Sequence, residues 1–195
     1  GSVAVVGFNP AALARALQLE GNVQFTDDPG WMLEKYEVVL NAALRATSQI
    51  PGDKLDWVSP ERERTLRQFT YHLFDRPNVA MRSHETGEYT AEDVGRYIEE
   101  AQRFQSPQEI ARFGEGVLAA IRRFLGSATP EALGKPVRSY FSGGMTVGQL
   151  MDLALGHSAH HLKQLYHYFG LLGISPDRPL TARDIDGIAV PSELF

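Results

Sequence analysis

The stretch from Val147 to Leu171 constrains the fold more than any other, because Val147, Leu150, Ala154, His157, His161, Gln164, Tyr168 and Leu171 recur in alternating steps of three and four. That period puts all eight on one side of an α-helix, and a helix with such a stripe must bury it against other elements. Thr146-Val147-Gly148-Gln149 has the form of a capping box at its start, and Gly170 to Gly173 marks its end. The stripe is apolar except at His157, His161 and Gln164, so the polar chemistry of this helix points inward.

Other helix starts divide the chain. Asp28-Pro29 opens a run to Ile50 in which Leu33, Tyr36, Leu40, Ala43 and Thr47 keep helical spacing, and Pro51-Gly52 ends it. Ser59-Pro60-Glu61 opens a second run marked by Leu66, Phe69 and Leu73, interrupted at Pro77. Thr90 to Asp93 begins a short polar helix reaching about Gln105. Ser106-Pro107-Gln108-Glu109 caps a third long helix carrying Ile110, Phe113, Val117, Ile121 and Phe124. Four long amphipathic helices with no alternating strand pattern between them predict an all-α, antiparallel four-helix bundle over residues 26–195, with an irregular tail from Ser175 along its outside. Residues 1–25 form a short extension. Within it Val3 to Phe8, Asn9-Pro10 and Ala11 to Leu17 read as strand, turn and helix. This piece resembles the closing strand and last helix of glutaredoxin-like proteins, which implies a remnant of a preceding domain; an ordinary extension packed on the bundle is the other reading.

Composition removes whole classes of function. With 43% hydrophobic and 22% charged residues over 195 positions, the chain is of ordinary globular make-up, and no apolar run is long enough for a membrane span. The start lacks the pattern of a secretory signal, so a cytoplasmic location is expected. A net charge of -5 and the lack of a basic stripe argue against nucleic acid as a partner. Cysteine is absent, which excludes disulfides, thiolate ligands and a cysteine nucleophile; any thiol must be brought from outside.

Two histidines four apart on a helix stack on the same face with their β-carbons about 6 Å apart, a separation from which two imidazoles can converge on one ion. His157 and His161 therefore form a metal-competent pair. His160 and His167 fall on another stripe, with Leu153, Gly156 and Lys163, and are read as peripheral. His72, between Phe69 and Leu73 near the inner face of the second helix, is either a third ligand or a buried histidine with a hydrogen-bond partner.

The segment Gly156-His157-Ser158-Ala159-His160-His161-Leu162-Lys163-Gln164-Leu165, running on to Tyr168 and Leu171-Leu172-Gly173, resembles the last helix of the DinB/YfiT-like family. Leu66-Arg67-Gln68-Phe69-Thr70-Tyr71-His72-Leu73-Phe74-Asp75 is similar to that family's second helix, whose histidine is the remaining ligand. The resemblance spans residues 27–173 and implies a four-helix bundle, often dimeric, with His72, His157 and His161 holding a divalent ion, commonly zinc, nickel or iron. Two departures stand out: Leu162-Lys163 replaces the family's usual Arg-Gly, and the segment from His84 to Gln105 is longer than usual, so the pocket entrance is expected to differ.

Three neutral imidazoles leave an ion at least one open position, where it acts as a Lewis acid. The resemblance implies metal-dependent chemistry with a small-molecule thiol, as an S-transferase or a related isomerase or hydrolase; the alternative is a non-catalytic metal-binding stress or sensor module. Asp75, three residues after His72, is either a partner for its free ring nitrogen or a helix-end carboxylate. Gln164 is either a partner for a ligand or substrate or a core-edge amide. Trp31, Tyr36 and Tyr168 either line the pocket or are core.

Overall fold

The computed structural model describes residues 26–141, 144–191 and 193–195. The expected strand, turn and helix between Val3 and Leu17, and with them the reading of residues 1–25 as a domain remnant, lie outside the described residues.

Helix α1 (Pro29–Gln49) starts where Asp28 accepts hydrogen bonds from the amides of Gly30 and Trp31. It stops at Ile50, which is extended as expected of a residue before proline. Helix α2 (Leu66–Thr86) follows, then strand β1 (Glu88–Tyr89) and the short helices α3 (Ala91–Gly95) and α4 (Tyr97–Glu100). Helix α5 (Pro107–Gly126) is capped by Ser106, and the short α6 (Pro130–Leu133) leads into strands β2 (Pro136–Ser139) and β3 (Met145–Thr146). Helix α7 (Val147–Leu171) opens on the expected capping box of Thr146 and Gln149. The chain is thus mostly helical. Helix α1 packs on α5 and α7, and α2 packs on α5 and α7, so the four long helices close a ring of neighbours around one core. None of the described helices is long and apolar enough to cross a membrane.

The structure corrects the expected fold in four places. It is not purely α: β1 pairs parallel with β2, and β2 antiparallel with β3. Strands of two to four residues are too short to show an alternating pattern in sequence. The second helix begins at Leu66 rather than at Ser59, on a capping box of Thr65 and Gln68. Ser59 instead closes a loop, its amide donating to the Arg64 carbonyl at 2.9 Å. The polar helix expected from Thr90 to Gln105 is broken into α3, α4 and a 3-10 turn at Ala101–Arg103. Leu171, placed on the inward stripe by spacing, is 54% exposed.

Pro77 does not end α2, and the reason is chemical. Proline has no amide to donate to the carbonyl four residues earlier, which leaves the Leu73 oxygen orphaned inside the helix. Ser158 of α7 donates its hydroxyl to that oxygen at 2.9 Å, and both groups are buried. The missing bond becomes a tie between the two helices that carry the histidines. Ser158→Ala is therefore expected to cost roughly 1–3 kcal/mol, the range for stranding a buried acceptor. Urea denaturation in the Pro77→Ala background checks it: an amide restored at position 77 should absorb most of the loss, and an equal cost in both backgrounds would refute the account.

The tail after α7 does more than lie outside. Gly156 admits it, because a β-carbon there would collide with the Ala189 carbonyl oxygen. Ile188 is buried beside it, and farther along the Leu194 carbonyl accepts a hydrogen bond from Gln164 Nε2.

Candidate metal centre

Because α2 and α7 are neighbours, His72 faces the pair on α7. One nitrogen from each of His72, His157 and His161 lies within 4.8 Å of the others. The ring centroids stand 4.2 Å apart for His157 and His161, 4.8 Å for His72 and His157, and 5.1 Å for His72 and His161. The Nε2 atoms of His157 and His161 are only 3.0 Å apart. His72 and His161 are buried, and His157 is half-buried.

Three features fit this cluster to a divalent ion. Burial holds the imidazoles neutral: His72 and His157 are pushed well below the ordinary histidine value, each by desolvation first and then by the neighbouring histidine charges and Arg76. His161 is pushed down to about 3 by burial, although its bond to Gln164 opposes the shift. Among the described residues the Nδ1 atoms of His72 and His157 have no partner, so neither ring is anchored by the Nδ1 hydrogen bond that a purely structural buried histidine would make. Finally, imidazole–metal bonds of about 2.1 Å place two ligand nitrogens roughly 3.4 Å apart in a tetrahedral set; the nitrogens here lie between 3.0 and 4.8 Å apart, so the rings need shift by no more than about 1.5 Å.

Gln164 accepts a hydrogen bond from His161 Nδ1 at 2.6 Å. That bond puts the His161 proton on Nδ1 and leaves Nε2 bare, facing His157 and His72. The amide nitrogen of Gln164 lies 3.1 Å from His160 Nε2 and 2.5 Å from the Leu194 carbonyl oxygen, so the tail helps fix the amide that orients the ring. Asp75 is placed differently. It is buried against the guanidinium of Arg76, and Arg76 also reaches the Asp93 carbonyl at 3.3 Å, while His72 Nδ1 has no hydrogen-bond partner among the described residues.

Of the aromatic candidates, Tyr36 is core, its hydroxyl donating to the Met151 carbonyl at 2.6 Å. Trp31 is half-buried against the tail at Gly187. Tyr168 is fully buried and packs edge-on against Phe69, which in turn packs edge-on against His161 at 5.0 Å. The peripheral histidines are half-buried: His160 meets Gln164, and His167 meets Glu61 at 3.4 Å. Sequence spacing missed Tyr97, whose ring centroid is 4.1 Å from that of His72. It comes from the long segment between His84 and Gln105, and no periodicity in that segment points to the cluster.

The same shifts give the metal-free protein a pH dependence. Unfolded imidazoles take a proton near 6.5, whereas His161 in the folded chain does so at about 3 and His160 at about 4. Between those values the unfolded chain binds more protons, so stability falls as pH is lowered through that window. Asp152 works in the opposite sense: burial raises it from 3.8 to about 6, so its contribution is present in acid and lost as pH rises through 6. Asp75, also raised by burial, acts in the same sense as Asp152, so four buried or half-buried imidazoles oppose two carboxyls. The urea midpoint of the metal-free protein should drop between pH 7 and pH 4, and a midpoint that rises would contradict the assignment.

Comparison with known proteins gives one finding. The family described as the DinB superfamily matches residues 35–165, about two thirds of the chain and a span containing all three histidines. No curated protein matches the chain.

Proposed function

Because this chain belongs to the DinB superfamily, we propose that His72, His157 and His161 hold one divalent ion and that the protein is a metal-dependent enzyme using a small-molecule thiol. The superfamily binds metals, and the three-histidine cluster is of a kind that can do so. The observation that carries the reading is the donor set. Three neutral nitrogens converge, and among the described residues no fourth histidine or carboxylate joins them. Such a set leaves room for an exchangeable ligand.

A bound zinc, nickel or iron ion would supply Lewis acidity, lowering the pKa of a thiol or water placed against it. The protein's own residues do the rest. Gln164 holds the His161 ring with Nε2 inward, Phe69 packs edge-on against that ring, and Tyr97 covers His72. In S-transfer the thiol gives its proton to solvent, sulfur bonds the electrophilic carbon, and the leaving group departs with the bonding pair; isomerase and hydrolase variants use the same centre. The ring of four long helices is read as the antiparallel bundle of the superfamily, working in the cytoplasm as a homodimer on small molecules rather than on nucleic acid or membranes.

The test is a panel of small thiols with an alkyl halide or epoxide electrophile, using protein reconstituted separately with zinc, nickel and iron(II). Thioether formation that scales with bound metal and vanishes in His157→Ala supports the reading. One bound ion per chain without turnover across the panel would leave a metal-binding module and reject the enzyme.

A further inference from the structure

The loop from Ser59 to Thr65 runs beside the histidine cluster. Its base is closed by a bridge between Val58 and Thr65, and the Glu63 amide donates to the Ser59 carbonyl at 3.0 Å. Glu63 takes φ 51, a left-handed conformation uncommon for a residue with a side chain. On one side Glu61 meets His167 of α7 at 3.4 Å. On the other, the Arg64 guanidinium lies 5.2 Å from the centre of the Tyr97 ring, the ring that packs on His72.

The nearby arginines divide into two kinds. Arg67 is paired with Asp56, Arg76 with Asp75, and Arg96 with Glu92. Arg62 and Arg64 have no carboxylate partner among the described residues. Of the carboxylates nearby, Glu61 meets His167 and Glu100 meets the Tyr71 hydroxyl at 2.8 Å, while Glu63, between the two arginines, is exposed and pairs with neither. The Arg64 guanidinium, without a carboxylate partner among the described residues, thus lies one ring away from a centre whose three ligands are neutral. A divalent ion adds two further positive charges, so the arrangement is balanced only when an anion lies between them.

We propose that Arg64 forms an anion subsite beside the three-histidine centre, and that the substrate is a small molecule carrying a carboxylate next to the group that meets the ion. This rests on the metal-centre reading above. A forked guanidinium pairs with both oxygens of a planar carboxylate, and one such fork suffices for a monoanion. The charge of the chain as a whole, -5, gives no general reason for anions to collect here.

The experiment uses the full chain loaded with Co2+, after its metal content has been measured. Calorimetric titrations compare 3-mercaptopropionate, 2-mercaptoethanol and propionate. The carboxylate-bearing thiol is expected to bind at least about tenfold more tightly than the neutral one, the ordinary scale of one charge-assisted pair. Arg64→Gln should reduce that advantage to within about twofold while leaving 2-mercaptoethanol binding and the urea midpoint unchanged, with part of it rescued in Arg64→Lys. Equal affinities for the two thiols in the wild type, or an advantage that survives Arg64→Gln, would overturn the subsite. Should neither thiol bind, or should Co2+ not be taken up, the metal–thiol reading fails separately. The subsite is then judged on propionate alone: binding lost in Arg64→Gln upholds it, and no binding, or binding that survives the substitution, rejects it.

Discussion

His157→Ala should empty the metal centre, taking bound zinc or nickel from about one equivalent per chain to a small fraction of that while the helical circular dichroism persists. The side chain is half-buried, and its Nε2 sits 3.0 Å from that of His161, so truncation removes one of three donors without opening a large hole in the apolar core. Mutation of an outer partner of a metal ligand typically costs about 10–100-fold in affinity, and loss of a ligand itself should cost more. Gln164→Leu provides the graded comparison: it deletes the 2.6 Å bond that orients His161 but keeps all three nitrogens, so its loss should fall within that smaller range. Stability gives a second readout. An ion at a thousand times its Kd stabilises the folded state by about 4 kcal/mol, which for a chain of this size raises Tm by roughly 10 °C. Wild type should show that rise on metal addition and His157→Ala should not. Metal content unchanged in the variant, by elemental analysis of protein purified without a histidine tag, would dismiss the three-histidine assignment.

The second large effect lies on α2, one turn beyond His72. Asp75 and Arg76 are 3% and 2% exposed, and among the described residues Arg76 Nε and Nη1 have no hydrogen-bond partner. Arg76→Met should cost about 3–5 kcal/mol at pH 7, because breaking a buried pair strands a charge without the attraction that offset its desolvation. Here the stranded charge is the Asp75 carboxylate. Burial already raises its pKa even with Arg76 opposing, and without the arginine it should rise further. A carboxyl raised in the folded state contributes stability that is present in acid and lost as pH rises through the folded value. The deficit of Arg76→Met relative to wild type should therefore shrink between pH 7 and pH 5, measured at each pH by urea denaturation. A deficit that stays constant would mean that lost packing around Tyr97, rather than a stranded carboxylate, explains the cost. The double variant Asp75→Asn with Arg76→Met should be more stable than Arg76→Met alone, since no charge is then left buried.

Much of this arrangement is legible in the chain because it depends on local rules. The caps at Asp28, Ser106 and Thr146, and the spacing that turns His157, His161 and Gln164 to one face, are set within a few residues of sequence. The match to residues 35–165 agrees with the family resemblance read from the two histidine motifs. The misplaced start of α2 shows where local rules compete. Ser59-Pro60-Glu61 and Thr65-x-x-Gln68 both have the form of a helix start, and the bridge between Val58 and Thr65 decides for the second. Pro77 looks like a stop until a hydroxyl 81 positions later on another helix accounts for its orphaned carbonyl. Asp75, read from sequence as a partner for His72 or as a helix-end carboxylate, is instead buried against Arg76.

The inward stripe of Val147 to Leu171 thus came from sequence alone, because helical periodicity is a property of one segment. That His72 meets the two histidines of that stripe, with one nitrogen of each within 4.8 Å of the others, came only from the packing of α2 on α7. Leu171 on the same stripe proved exposed, since the period fixes a direction but not whether anything stands in it. Tyr97, Arg64 and the Leu194 carbonyl gather around the cluster from segments with no periodicity of their own. Contacts between residues far apart in the chain are chosen by the closure of the whole core, so tertiary structure alone decides them.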